Sequence, residues 1–190
     1  MNYQAVLDFW FGKPQDTEYG KPRKFWFVKN LDTDAKIKSN FTTTYQAAAK
    51  GELNHWRTSA LSCLALIIVL DQFSRNIYRG LPQSFATDGM ALNISNYALK
   101  LNYDNQLLPV QRWFIYLPFE HSENLADQKK AVALFESLKN DPDSQSTIDY
   151  AYKHFYIIQR FGRFPHRNEI LGRKSTLEEI EFLKQPGSRF

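Results

Sequence analysis

Ala60-Leu-Ser-Cys-Leu-Ala-Leu-Ile-Ile-Val-Leu70 is apolar in every direction a helix could turn it, interrupted only by Ser62. A surface helix shows one apolar stripe and one polar face. A helix that is hydrophobic all round sits at the centre of a domain with other elements packed about it. Ile67-Ile68-Val69 is also compatible with a buried strand, but a strand does not need so long a run. We read the segment as a central buried helix. Its eleven residues fall short of the roughly twenty that cross a membrane, and Gly80-Leu-Pro82 ends it.

Outward from this run, the chain reads as further helices. Tyr3–Phe11 places Val6, Phe9 and Trp10 at helical spacing before Gly12. Residues 12–24 carry Pro14, Gly20 and Pro22 and read as a loop, after which Phe25-Trp26-Phe27 re-enters the core. Asp32–Lys50 is amphipathic through Ile37, Phe41, Tyr45 and Ala48, with Asp32 available as a cap and Gly51 just past the end. On the other side lie helices over Asp88–Leu101 and Pro109–Leu117, the latter closed by Pro118, and over Leu125–Leu138. Asn140-Asp-Pro142 is a break. Ser146–Phe161 opens with a Ser146-x-x-Asp149 capping box, and Thr176-x-x-Glu179 caps a last helix to Lys184. No convincing strand and no exact repeat period appear. The fold class is therefore all-α, an irregular array of helix hairpins in a single domain over residues 1–190.

Composition narrows the function classes. Hydrophobic content of 43% and aromatic content of 15% supply a core and argue against disorder. The net charge of +4 is spread along the chain. It tolerates an anionic partner without the broad basic footprint a nucleic acid needs. Cys63, the sole cysteine, lies in the apolar run and reads as a small hydrophobe. The N-terminus lacks the basic and apolar regions of a secretory signal, so the expected location is the cytoplasm, with no membrane partner.

Three constellations carry polar chemistry. Asp71 comes directly after the buried run, with Arg75 one helical turn on. A carboxylate there needs a partner. It is either a ligand-orienting group or base, or one end of a structural ion network. The second is Glu120-His121-Ser122-Glu123, past a helix end. His121 between carboxylates is an acid/base candidate, and the same residues would serve as caps for the helix near Leu125. The third is Arg160–Arg173, with four arginines, one histidine and no lysine. Arginine without lysine points to bidentate recognition of carboxylate or phosphate, or to internal ion pairs with Asp71, Asp88 or Glu123. If the helix runs through Gly162, Tyr156, Arg160 and Arg163 share a stripe. There is no phosphate loop, zinc motif or nucleophile elbow. Glu52-x-x-His55 is an isolated pair, so neither metal nor cofactor is expected.

Five stretches together resemble a known family. They are Val6–Gly12, Ala65–Asn76, Phe85–Asp88, Leu117–Glu123 and Arg160–Arg173 with Ser175-Thr176. They are similar to the bacterial proteins grouped as domain of unknown function nine-two-four, over Val6 to about Leu183. The resemblance implies a tetratricopeptide-like helical array and implies no activity. It marks Asp71, Gln72, Arg75, Asn76, Asp88, His121, Glu123, His154, Arg160, Arg163, Arg167 and Asn168 as family positions. This chain departs from the family at Ser74, at Phe155-Tyr156 and at Glu120. The site expected from residues and resemblance is a cleft lined by Asp71, Arg75, Asn76, Asp88, His121, Glu123, Arg160, Arg163, His166, Arg167 and Asn168. It would bind a small anionic molecule. The alternatives are a metal-independent hydrolase or transferase using His121, and a scaffold that docks a protein or peptide near Phe25-Trp26-Phe27.

Overall fold

A computed structural model describes residues 1–188, and among them the regular structure is entirely helical. The central run forms α3 (Ala60–Ile68), after α1 (Tyr3–Phe11) and α2 (Leu31–Ala49). It continues through a π-turn, Val69–Phe73, into the short α4 (Ser74–Ile77). From Cys63 to Leu70 every side chain is buried. By length and composition Ala60–Ile77 could cross a membrane, but 83% of it is buried inside the protein, so its apolar surface is spent on neighbouring helices. Each Leu, Ile or Val buried this way contributes about 1.5–3 kcal/mol.

The neighbours are α1 and α5 (Asp88–Lys100) on α3, α2 on the π-turn and α4, and α6 (Pro109–Glu120) on α5. α7 (Leu125–Glu136) and α8 (Gln145–Phe161) then pack on α6 in series. One continuous hydrophobic core joins α1 through α8, and aromatic edges fill it: Trp10 meets Phe73 and Phe114 at 5.5 Å, and Trp26 meets Phe114 at 5.0 Å. A smaller cluster of Ile157, Ile158 and Phe164, with Phe161 and Phe182, holds α9 (Leu177–Leu183).

Several local expectations change. Asn30, not Asp32, caps α2, its Oδ1 accepting from Thr33 N. α8 begins at Gln145 rather than Ser146, with no side-chain cap bond: the Ser144 hydroxyl before it donates to Asp141 and accepts from Trp113 Nε1. Asn124, not His121 or Glu123, caps α7. Gly162 ends α8 in the left-handed conformation at φ 67°, which a side chain adopts only with strain. The stripe Tyr156–Arg160–Arg163 is therefore broken before Arg163. Pro118 does not close α6. A proline in the last turn removes only one N–H, and the helix runs two residues further to Glu120. The capping box of Thr176 and Glu179 forms as expected.

The π-turn fixes the geometry at the exit of the central helix. A wider turn presents its carbonyls to other donors. Leu70 O accepts from Thr87 Oγ1 at 2.6 Å, and Asp71 O accepts from Ser74 Oγ and from Arg75 Nη1. The turn is thereby tethered to the start of α5 and to the arginine one turn further along the chain.

Candidate functional site

A cavity of about 550 Å³ opens where the exit of the central helix meets the end of α6, the first half of α8 and the turn Pro165–Arg167. Its outer lip is the loop Phe25–Lys29. Trp26 in that loop is buried and donates its Nε1–H to Trp10 O, whereas Phe27 is 56% exposed. The lip is therefore apolar apart from the exposed Lys29, and the floor is charged.

Asp71 is the hub of the floor. It is 1% exposed and does not itself line the cavity, but it holds three residues that do. Its Oδ1 faces His121 Nδ1 at 2.7 Å and Arg75 Nη1 at 3.2 Å, and its Oδ2 accepts from Gln72 Nε2. Burial alone would raise its pKa, but the Arg75 charge and the contact with His121 hold it well below the usual carboxylate range. An ionised carboxylate can only accept, so His121 carries its proton on Nδ1 and presents the Nε2 lone pair. This is the orientation a carboxylate imposes on a general base. Burial first, and the Arg75 charge second, push the His121 pKa below its ordinary value despite Asp71. His121 is thus neutral at physiological pH.

Arg75 is fully committed. Its guanidinium bonds both oxygens of Asp88 at 2.9 and 3.0 Å, as well as Asp71. Asp88 is therefore spent when Arg167 approaches, and Arg167 Nη1 stays 3.6 Å from Asp88 Oδ2. Arg167 is 6% exposed, and its side chain makes no hydrogen bond among the described residues. The rings of Phe85 and Phe164, at 4.7 and 4.4 Å, carry it instead. Burial, and then the Arg75 charge, lower its pKa to about 10. It remains a cation at neutral pH, facing the cavity with its donors unused.

A second carboxylate–histidine pair stands beside the first. Glu120, at the end of α6, and His154, on α8, both line the cavity and are buried. His154 Nδ1 lies 2.9 Å from Glu120 Oε1 and 2.9 Å from the Tyr150 carbonyl. The rings of His121 and His154 are 6.4 Å apart.

The structure divides the residues singled out from the sequence. Arg75, Asn76, His121, His166 and Arg167 line the cavity, with Asp71 and Asp88 behind them. Asn76 gives its amide to Asp34, which also clamps Arg79. Arg160, Arg163, Glu123 and Asn168 are elsewhere, because each has a nearer partner. Arg160 is an exposed pair with Glu178. Arg163 forks onto Glu179, which Asn168 also meets. Glu123 takes both Nη groups of Arg173 and the Phe164 N–H. Sequence reasoning does not place Glu120, Gln72, Arg79 or His154 in the expected cleft, although all four line the cavity. Only the resemblance signals Gln72 and His154. The pair Glu52 and His55 is exposed, and no group of three or more His, Cys, Asp or Glu among the described residues could hold a metal ion. The Cys63 thiol is buried, which pushes its pKa up to about 12.

Comparison with known proteins gives three findings. The family model for a bacterial protein of unknown function, DUF924, matches residues 6–187. A solved structure of a protein of unknown function from Agrobacterium tumefaciens is 36% identical, with 96% of each chain covered and a TM-score of 0.85. No curated protein matches.

Proposed function

We propose that this chain, which belongs to the bacterial family of unknown function DUF924, binds a small anionic molecule in the cavity beside Arg167. The observation that supports it is the state of that guanidinium. A buried cation without hydrogen bonds is costly. Arg75, Arg79, Arg160, Arg163 and Arg173 each have a carboxylate within hydrogen-bond reach. Arg167, by contrast, lines the cavity with Asp88 no nearer than 3.6 Å and its buried Nε without a hydrogen-bond partner. The two-oxygen edge of a phosphonate, phosphate or carboxylate would supply that partner.

Arg167→Met tests the proposal, because the thioether keeps the contact with Phe85 and Phe164 and removes only the charge. Binding of inorganic phosphate and ethyl phosphonate, measured by titration calorimetry, should weaken about tenfold to a hundredfold, the worth of a charged hydrogen-bonded contact. The melting temperature should hold or rise, since Asp88 keeps Arg75. A large fall in melting temperature with unchanged phosphonate affinity would make Arg167 a structural ion instead.

The Asp71–His121 geometry favours a second reading, a metal-independent hydrolase or transferase. His121 Nε2 would take a proton from water or a hydroxyl, and Arg167 would face the developing negative charge. The depressed His121 pKa sets the sign of the pH dependence. Hydrolysis or transfer should be flat at neutral pH and fall on the acid side, below the ordinary imidazole value of about 6.5. A rate that rises as pH drops through that range would remove His121 as the base.

A further inference from the structure

We infer that the molecule taken by this cavity is dipolar, carrying an ammonium group for Glu120 as well as the anion for Arg167. The inference rests on the anion reading and adds the other half of the ligand. Glu120 is 3% exposed. Its Oε1 meets His154 Nδ1, and that nitrogen is shared with the Tyr150 carbonyl at the same 2.9 Å. A carbonyl can only accept, so a single N–H is divided between two acceptors. Glu120 Oε2 is buried with no hydrogen-bond partner among the described residues. No lysine or arginine among them stands within 4.0 Å of the carboxyl group; the ion pairs of Arg75, Arg79, Arg163 and Arg173 all go to other acids.

The cavity therefore has two under-satisfied buried groups of opposite demand. Arg167 Nε–H requires an acceptor and Glu120 Oε2 requires a donor. They do not meet each other, since each is unpartnered. A ligand with only an anion would answer Arg167 and leave Glu120 Oε2 without a donor. A ligand carrying both charges answers both groups, and burial makes each contact worth more than it would be in water. The matching class is the amino acid, aminoalkyl phosphate or aminoalkyl phosphonate type.

The test compares ω-aminoalkyl phosphonates of graded length with the plain alkyl phosphonates of the same length, by titration calorimetry on the full chain. In the natural protein the best amino compound should bind about tenfold tighter than its plain counterpart. In Glu120→Gln the side chain keeps an oxygen for His154 but turns a donor toward the cavity. The amino advantage should shrink to about twofold or less, while plain phosphonate affinity holds or improves. If plain phosphonates bind through Arg167 as well as the amino compounds at every length, the anion reading stands and the dipolar one is wrong. If ω-hydroxyalkyl phosphonates match the amino series, the donor is neutral and the ammonium assignment is overturned. If no phosphonate binds at all, both readings fall together.

Discussion

Asp71→Asn is expected to lower the melting temperature by roughly 6–12 °C without changing the helical content. The substitution keeps the shape and removes the charge. Asp71 is the acceptor for Arg75, His121 and Gln72 at once, in a pocket that is 1% exposed. Removing one partner from a buried charge cluster costs about 3–5 kcal/mol, mostly because the other charge is left behind. Arg75 retains the bidentate contact to Asp88, so the lower end applies. For a chain of this length each kcal/mol moves the midpoint by about 2–4 °C. The pH dependence supplies an independent check. His121 is held neutral by burial, and Asp71 opposes that shift. Without the carboxylate the folded-state His121 pKa drops further, and a group depressed on folding costs stability as pH falls below its unfolded value of about 6.5. The variant should therefore lose stability more steeply than the natural protein between about pH 6.5 and pH 5. Thermal unfolding by circular dichroism across that range reads both effects. A midpoint within about two degrees of the natural protein, well under the shift a lost buried charge brings, would show that Asp71 is not the hub of the floor.

The helical class and the central place of Ala60–Leu70 were legible because an all-round apolar run has one stable destination. The Thr176 box was legible because its two partners are three residues apart. The site was only half legible, for three local reasons. The π-turn at Val69–Phe73 has no sequence signature, yet it lies where Asp71 and Gln72 meet the site. Pro118 looks like a terminator, which puts Glu120 outside the helix; the helix in fact carries it to the cavity wall. The density of arginine in 160–173 reveals charge but not pairing. Arg160 and Arg163 find Glu178 and Glu179, sixteen to eighteen residues later. That leaves Arg167 as the arginine of that stretch that bears on the cavity. Composition sees four equivalent cations, whereas the surrounding acids make them different things.

Those later acids lead to the other large effect. Glu179→Ala should destabilise the C-terminal helix by about 2–4 kcal/mol and loosen the turn beneath it, because charged hydrogen bonds contribute about 1.5–3 kcal/mol and a lost helix cap about 1 kcal/mol. Glu179 is 2% exposed and accepts Arg163 Nε and Nη2 at 2.7 and 2.8 Å, Thr176 N at 2.7 Å and Asn168 Nδ2 at 3.2 Å. Asn168 and Arg163 flank the turn Pro165–Arg167, on which α9 packs. The loss should therefore reach Arg167 and weaken phosphonate binding as well. The Arg163 hydrogen bonds foremost hold the Glu179 pKa at about 2, below its ordinary value of about 4.3. A depressed carboxylate contributes stability that is present above its unfolded pKa and lost as pH falls toward the folded one. In the natural protein this contribution disappears between about pH 4.5 and pH 2, and in the alanine variant that part of the acid limb is absent. Hydrogen exchange of the α9 amides at neutral pH, together with acid titration of both proteins, distinguishes the outcomes. Equal α9 protection and superimposable acid limbs would mean that the Arg163–Glu179 clamp does not hold the turn on which Arg167 stands.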